Sequence, residues 1–245
     1  MLTVQKFGGT SVADAERIRY AAGIVSHTYD KGYDVVVVVS AQGDTTDVLL
    51  EKAAELSCAP GPRELDMLLT TGEQMSAALM AMCLEEMGYP AISLTGWQAG
   101  VETTAVHGDA RILRIDTARL LRELHRGRIV IVAGFQGISA QGEITTLGRG
   151  GSDTTAVALA AALGADRCEI FTDVDGVYTA DPRKFSHAVK LKEISYDNML
   201  AMARNGAQVL HDRCVELAKE HGIVLEVRSA FTDAEGTIIG EKREG

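Results

Sequence analysis

The length and composition are those of a folded, acidic chain. The sequence has 245 residues, of which 46% are hydrophobic and 24% are charged, so it can bury a sizeable core and is not disordered. Lys and Arg total 24 and Asp and Glu total 34, which gives a formal net charge of −10. This diffuse negative charge argues against nucleic acid and anionic membranes as partners, although backbone N–H groups and a few cations can still bind an anion locally.

The cysteines and the N-terminus favour a reducing compartment. Cys58, Cys83, Cys168 and Cys214 form no CxxC pair, which favours four reduced thiols over a disulfide or metal framework. The first ten residues, MLTVQKFGGT, lack the apolar stretch of a signal peptide. The longest helix-like apolar run, 156–163, is too short to span a bilayer. We therefore expect a cytoplasmic protein without a membrane segment.

Strand patterns alternate with helical patterns along the chain. Five consecutive valines, Val35–Val39, indicate a strand covered on both faces, because a strand with one wet face alternates polar and apolar residues. The Gly- and Thr-rich stretch 95–115 predicts a hairpin. The predicted strands are 2–7, 35–39, 91–94, 128–133, 143–147, 168–172 and, last, 223–227. The predicted helices are 12–29, 46–56, 63–87, 116–125, one capped by Ser152 or Asp153 that ends near 164, one capped by Ser195, and 208–221.

This alternation predicts an α/β protein, a three-layer αβα sandwich with a mainly parallel central sheet. Ligands of such sheets bind beyond the carboxyl ends of the strands. The loops at those ends are 8–11, 40–46, 134–151 and 173–183, and they contain most of the polar residues without an obvious structural partner. We expect the functional site in these loops.

The first loop has the composition of a phosphate site. Lys6 lies near the end of a strand, and Gly8 and Gly9 follow before a helix. Glycines let backbone N–H groups approach phosphate oxygens, and the lysine would supply a point charge. A glycine pair after a strand is also a common turn, and neither a Walker A motif nor a GxGxxG motif is present.

The loop at 148–151 places Arg149 among three glycines, before a predicted helix. Arginine can hold a carboxylate through two parallel hydrogen bonds, and the helix N-terminus adds partial positive charge. Asp153, in the first helical turn, could bind an ammonium group. Together these residues suit the two ends of an amino acid. A glycine loop with a capped helix would explain Ser152 but not the arginine.

Two further polar loops follow strands. Segment 40–46, SAQGDTT, leaves room for a ligand to reach the backbone, although a helix-capping loop explains it better. Segment 173–183, DVDGVYTADPR, begins like a calcium loop but lacks the later glutamate that such loops require. We interpret it as a nucleotide loop in which Tyr178 packs on a base, Arg183 pairs with phosphates and Asp173 orients a phosphate-binding lysine.

Five longer motifs occur in one order, namely KFGGTSV, VVVVVSAQGDTTD, LLTTGEQMSA, TTLGRGGSDTTAVALAAALGAD and EIFTDVDGVYTADPR. Over residues 2 to about 240 the chain resembles the aspartate kinases of the amino-acid kinase superfamily. The resemblance implies the amino-acid kinase fold and ATP-dependent phosphorylation of the β-carboxylate of L-aspartate to 4-phospho-L-aspartate, which opens lysine, threonine, methionine and diaminopimelate synthesis. It also implies Mg²⁺ bound mainly through the ATP phosphates, with no metal site formed by protein side chains.

The resemblance further implies a role for each residue that matches the motifs. Lys6 and Asp173 would be catalytic. The residues that would bind ATP are Lys6, Gly8, Gly9, Ser40, Thr172, Asp173, Tyr178 and Arg183. The residues that would contact aspartate are Thr46, Glu73, Arg149, Ser152 and Asp153.

One position departs from the family pattern. Aspartate kinases usually carry a lysine in a GAKVLH segment that touches the phosphates, whereas this chain reads GAQVLH with Gln208. Loss of a donor from a transition-state clamp costs on the order of 10²–10³ in rate, unless Lys184, Arg204 or Arg213 substitutes. One alternative is therefore a catalytically impaired subunit that binds ATP or aspartate. Another is a kinase of the same fold that acts on another carboxylate or phosphate acceptor.

For domain organisation we expect one catalytic domain over 1–245, with an acceptor-binding lobe at about 1–165 and a nucleotide-binding lobe at about 166–245. Aspartate kinases commonly continue into two ACT domains that bind lysine or threonine, and we expect none here. The expected partners are L-aspartate and ATP, and the expected assembly is a homodimer or a complex with a separate regulatory chain.

Overall fold

The computed structural model describes residues 1–180, 182, 185, 187–204 and 209–241. The strands are β1 (Leu2–Phe7), β2 (Asp34–Val39), β3 (Ala91–Leu94), β4 (Val101–Thr103), β5 (Ile112–Ile115), β6 (Ile129–Ala133), β7 (Gln136–Ser139), β8 (Ile144–Thr146), β9 (Arg167–Thr172), β10 (Glu193–Ser195), β11 (Leu225–Ser229) and β12 (Thr237–Gly240). The helices are α1 (Ala15–Asp30), α2 (Thr45–Leu56), α3 (Pro62–Glu86), α4 (Ala118–Leu124), α5 (Gly151–Leu163), α6 (Tyr196–Arg204) and α7 (Asp212–His221). Within the described ranges, none of these helices has the length and apolarity needed to cross a membrane.

The central sheet has eight strands in the order β10-β12-β11-β9-β1-β2-β6-β3. From β11 to β3 all neighbours are parallel, and β12 pairs antiparallel with β11. The register places Phe7 level with both Val39 and Phe171, so neighbouring strands end at the same edge. The predicted α/β class with a mainly parallel sheet is confirmed.

Helices cover both faces of this sheet, as the five-valine strand requires. Val36 and Val38 pack into one core with residues of α4, α5, α6 and α7. Val35, Val37 and Val39 pack into the other core with residues of α1 and α3. All five valines are fully buried. Burial on both faces removes the polar alternation that a half-exposed strand would show.

A second sheet of four short strands, in the order β5-β4-β7-β8, contains the hairpin predicted in 95–115. It approaches the segment after β3 so closely that a Cβ added at Gly96 would lie 2.0 Å from the carbonyl oxygen of Gln136. Strand β8 packs against α3. The small sheet is therefore fixed to the helical layer beside the carboxyl edge of the large sheet.

Three sequence expectations differ from the structure. The strand at 223–227 is not the last, because β12 follows it. Strand β10 was not predicted either. Both β10 and β12 are too short to show a periodic pattern of apolar residues. Helix α1 begins at Ala15 rather than at 12, because 9–12 form a 3-10 turn and Asp14 accepts the Arg17 N–H at 2.9 Å as the N-cap. Helix α7 begins at Asp212, and residues 205–208 lie outside the described residues.

The cysteines are free, as expected. Cys168 and Cys214 are buried, Cys83 is half-buried and Cys58 is exposed. The predicted division into two lobes near residue 165 falls in the turn between α5 and β9, and it stays a prediction.

Two glycine-to-alanine changes compare a closely packed position with an open one. Gly96→Ala should lower the free energy of unfolding by about 1–3 kcal/mol, because its Cβ would overlap the Gln136 carbonyl. Gly23→Ala, inside α1 with no atom within 4 Å of the new Cβ, should raise it by about 0.5–1 kcal/mol. Urea unfolding of the two variants measures both changes. Equal effects would contradict the close approach at Gly96.

Candidate active site

The loops that follow the parallel strands come together at the carboxyl edge of the large sheet. The N–H of Gly8 donates to the carbonyl of Phe171 at 3.2 Å, and the N–H of Ser40 donates to the carbonyl of Phe7 at 3.1 Å. The N–H of Gly134 likewise donates to the last carbonyl of β2 at 3.0 Å. The ladder thus continues one residue beyond these strands and holds in place the start of three of the four predicted site loops, those that begin at 8, 40 and 134.

Lys6 is bound to a carboxylate at this edge. Its Nζ lies 2.6 Å from Oδ1 of Asp153, and the two side chains are only 10% and 14% exposed. Removing one partner of such an enclosed pair leaves a poorly solvated charge, which is strongly destabilising. The pair therefore fixes the lysine ammonium group at the end of β1, next to the loop that begins at Gly8.

The carboxylate paired with Lys6 in this structure is Asp153. Asp173, which was expected to orient a phosphate-binding lysine, is exposed and accepts a hydrogen bond from the hydroxyl of Thr172 at 3.2 Å, and its role stays a prediction. One expectation about α5 is wrong. Neither Ser152 nor Asp153 caps α5, because the helix begins at Gly151 and its N-cap is Gly150. The short side chain of Asp153 points to Lys6 instead of back to the helix backbone.

The loops after β1 and β2 touch through their backbones. The N–H of Gly43 donates to the carbonyl of Gly9 at 3.0 Å, and a Cβ at Gly9 would lie 2.7 Å from the carbonyl oxygen of Ala41. At Gly8, by contrast, the added Cβ would lie 3.5 Å from the Nζ of Lys6, an ordinary contact. Close packing therefore requires a glycine at position 9, whereas position 8, beside the lysine, has room for a Cβ.

Glu73, on α3, is the most enclosed carboxylate of the predicted site. It is 4% exposed, and the N–H of Ala41 donates to its Oε1 at 3.0 Å. Among the described residues its buried Oε2 has no hydrogen-bond partner. Burial raises the pKa of Glu73 from 4.5 to about 7, although the Ala41 N–H offsets part of this effect. A buried oxygen without a partner calls for a donor such as a ligand ammonium group.

Arg149 lies in a loop that only glycines can form. Gly148 and Gly150 have φ of +74° and +68°, values that side-chain-bearing residues rarely adopt. A Cβ at Gly150 would also lie 2.5 Å from the Cβ of His211. Arg149 itself is exposed, directly before α5. The guanidinium group thus stands on a tightly defined backbone and is accessible to a ligand.

Two smaller predicted residues lie in the first turns of two different helices. Ser152 is buried in the first turn of α5, where a Cβ at Gly134 would lie 2.8 Å from its Oγ. Thr46 is half-buried in the first turn of α2. Both hydroxyl-bearing side chains therefore belong to helix N-termini beside strand-end loops.

The loop after β9 contains a polar cluster that the sequence reveals only in part. The hydroxyl of Tyr178 donates to Oδ1 of Asp175 at 2.9 Å, and Nζ of Lys190 donates to its Oδ2 at 3.2 Å. Burial alone would raise the pKa of Asp175, but these two bonds outweigh it and hold the pKa below its usual value. Lys190 belongs to no motif, so nothing in the sequence pointed to it. Arg183 lies outside the described residues.

Asp66 was also missed by the sequence reasoning. It is 1% exposed on α3, and it accepts hydrogen bonds from the hydroxyl of Thr146 at 2.6 Å and from the N–H of Gly108 at 3.1 Å. Nδ1 of His107 lies 2.7 Å from its other oxygen. The available signal was its position seven residues before Glu73, which places both acidic residues on one face of the helix.

Two grooves of about 500 and 590 Å³ lie at the two edges of the large sheet, along β3 and β10. Neither is lined by a predicted site residue. The candidate site is instead the set of loops at the carboxyl edge, in agreement with the rule for open α/β sheets.

The amino acid kinase family model matches residues 1–229, and the chain belongs to this family. Within it, the chain is 60% identical to an aspartokinase of Geobacillus stearothermophilus, over 98% of this chain and 59% of the relative. It is 58% identical to aspartokinase 2 of Bacillus subtilis over the same shares of the two chains. The chain thus spans about three fifths of the curated relatives that it matches.

Solved structures give the same result. The fold superposes on an aspartate kinase from Synechocystis with a TM-score of 0.88 and 51% identity, covering 99% of this chain and 40% of the other. It also superposes on Escherichia coli aspartokinase III in complex with aspartate and ADP, with a TM-score of 0.88 and 32% identity, covering 100% and 66%. The resemblance to aspartate kinases is confirmed. A UMP kinase from Bacillus anthracis, at 19% identity and a TM-score of 0.72, shares the fold alone.

The raised pKa of Glu73 predicts a pH dependence of stability. Between pH 4.5 and 7 the folded state holds a proton that the unfolded state releases, so stability falls as the pH rises through this window. From pH 5 to 8 the wild type should lose up to about 3 kcal/mol relative to Glu73→Gln, which cannot ionise. Urea unfolding of both proteins across this range measures the difference. A constant difference would contradict the burial of an ionisable, unpaired carboxyl group.

Proposed function

We propose that this chain phosphorylates the β-carboxylate of L-aspartate with ATP, forming 4-phospho-L-aspartate and ADP. The observation that carries the proposal is the similarity to aspartokinases over nearly the whole chain, including the E. coli enzyme that binds aspartate and ADP. The strand-end site supports it, since a fixed lysine, a glycine loop, an exposed arginine and a buried unpaired carboxylate are brought to one edge.

For the acceptor, Arg149 would hold the α-carboxylate through two parallel hydrogen bonds. Glu73 is the better partner for the ammonium group, because its Oε2 has no partner in the part of the chain that the structure describes, whereas Asp153 is already paired with Lys6. Binding of an ammonium would favour the charged form of Glu73 and lower its pKa again. Thr46 and Ser152 would add hydroxyl contacts, and Asp153 would act on the acceptor side mainly by holding the lysine.

For phosphoryl transfer, an oxygen of the β-carboxylate attacks the γ-phosphorus, and the bond from that phosphorus to the β,γ-bridging oxygen breaks, so ADP leaves. The attacking carboxylate is already ionised at neutral pH, hence no general base is required. Lys6, held by Asp153, would neutralise charge on the moving group, and N–H groups near Gly8 would contact the phosphates.

The remaining nucleotide contacts are proposed from the resemblance. The loop after β9 would line the nucleotide site. Tyr178 would pack on the base, Arg183 would pair with the phosphates, and Asp173 would orient a phosphate-binding lysine. Gly9, Ser40 and Thr172 would complete this side of the site. The position of Tyr178 beside Asp175 supports this assignment, because the bond to Asp175 fixes the ring in one orientation.

Mg²⁺ is part of the proposal and would neutralise the phosphate charge when bound. Across the described ranges no group of three or more His, Cys, Asp or Glu side chains could hold a metal ion. Coordination mainly through ATP phosphates fits this donor set. We further propose a cytoplasmic enzyme that opens lysine, threonine and methionine synthesis, as a homodimer or with a separate regulatory chain.

The proposed reaction is tested by ADP release with L-aspartate, N-acetyl-L-glutamate, uridylate or no acceptor. Of these acceptors, we expect only L-aspartate to support turnover, and we expect no turnover in Lys6→Met. Turnover with another acceptor instead would overturn the assignment of the substrate.

A Gln208→Lys arm separates a weak enzyme from an impaired binding subunit. This change restores the lysine usual in aspartate kinases and should raise kcat by up to roughly 10²-fold. If only this variant turns over aspartate, the natural chain is the impaired subunit.

Arg149 should determine the affinity for the acceptor. Arg149→Ala should raise the KM for aspartate at least tenfold and leave the KM for ATP within about twofold, because one forked carboxylate pair is lost. Arg149→Lys should not restore it, since lysine cannot form that pair. Steady-state kinetics measures both constants, and Arg114→Ala, which removes an exposed arginine paired with Glu102, is the matched control. A similar rise for both substrates would show that Arg149 is wrongly assigned.

A further inference from the structure

We propose that Asp66 is a positioning residue that holds the Arg149 loop at a fixed distance from Glu73 and thereby sets the affinity for the acceptor. The inference rests on the proposed function. It assigns a role to a carboxylate that lies in none of the glycine-rich loops.

Asp66 is a buried carboxylate that contacts groups from two other segments of the chain. Asp66 accepts the hydroxyl of Thr146 in β8 and the N–H of Gly108 in the loop between β4 and β5, and Nδ1 of His107 lies within hydrogen-bond distance. At 1% exposure, water cannot replace these partners. A buried donor that loses its acceptor costs its full desolvation penalty, so the three segments stay together.

Arg149 follows Thr146, which is bonded to Asp66, by three residues. Arg213 donates to the carbonyl of Leu147 at 3.0 Å and to Oδ1 of Asp109 at 2.9 Å. A Cβ at Gly148 would lie 3.1 Å from the carbonyl oxygen of Gly108. The segment that leads to Arg149 is therefore bonded to Asp66 through the Thr146 hydroxyl and is packed against the 107–109 loop.

Asp66 and Glu73 lie on the same helix, α3. Seven residues separate Asp66 from Glu73, which is about two helical turns and a rise of roughly 10 Å. Both are buried on α3. The helix keeps the spacing between the two residues fixed. Glu73, the proposed partner of the ammonium group, and Asp66, which holds the loop of Arg149, therefore belong to one rigid element.

The consequence is specific to the acceptor. The proposed nucleotide contacts lie on the loops after β1, β2 and β9. Among the described residues, the hydrogen bonds of Asp66 go to none of these loops. A slip of the Arg149 loop would misplace one end of the amino acid, and misplacement by about 1 Å can cost on the order of 10² in rate.

The test uses Asp66→Asn, which keeps the size but presents an amide N–H₂ where the carboxylate accepts hydrogen bonds. We expect the KM for aspartate to rise at least tenfold, with the KM for ATP within about twofold of wild type. Thr146→Val removes a single donor, and we expect a smaller change in the same direction; this variant carries the test if Asp66→Asn does not fold.

The matched control is Glu123→Gln. Glu123 is also a buried carboxylate, with Arg119 at 2.9 Å and Arg128 at 3.0 Å, and it lies near the start of β6, at the opposite edge from the site. Its loss should lower stability and leave the KM for aspartate unchanged. A rise in KM equal to that of Asp66→Asn would show that the effect follows stability alone and would overturn the proposal.

Amide hydrogen exchange supplies a readout that does not need turnover. Exchange in 145–151 should accelerate in Asp66→Asn and not in Glu123→Gln. Unchanged exchange, or an unchanged KM for aspartate with accelerated exchange, would overturn the positioning role. If the wild type uses another acceptor, the proposed function fails, and the same KM comparison with that acceptor decides the role of Asp66.

Discussion

The parallel register of β1 with its two neighbours is the constraint on which the site depends. Phe7 lies level with Val39 on one side and Phe171 on the other, and the Phe7 and Phe171 rings stack with centroids 4.8 Å apart. Because neighbouring strands end together, the loops after β1, β2 and β9 begin at the same height. Glycines then let the loops after β1 and β2 approach to backbone contact.

Two carboxylates at this edge differ in whether their charge is compensated. Asp153 is paired with Lys6, so its charge is compensated before any ligand binds. Glu73 receives one N–H and is otherwise buried, which raises its pKa to about 7. In the proposed function the first carboxylate fixes a cation and the second awaits one. In the same proposal, a chain with net charge −10 would bind an anionic nucleotide with the help of Lys6, which its partner carboxylate holds in place.

Helix α3 links the two sheets. It carries Glu73 to the loop after β2, and a Cβ at Gly72 would lie 2.8 Å from the Cβ of Ala41, so only glycine permits this approach. The same helix presents Asp66 to the small sheet. The small sheet, through β8, thus leads directly into the loop that bears Arg149.

The sequence by itself determined the fold class, the buried valine strand and the strand-end loops of the candidate site, because these depend on local patterns of apolar residues and glycine. It also identified Lys6, Glu73, Arg149 and Asp153 as candidates. Only the tertiary structure decided that Asp153 pairs with Lys6, that one oxygen of Glu73 has no partner among the described residues, and that Asp66 joins three segments. These pairings join residues as many as 147 positions apart, and the distance between such side chains is fixed by strand register and helix packing, which no local pattern encodes.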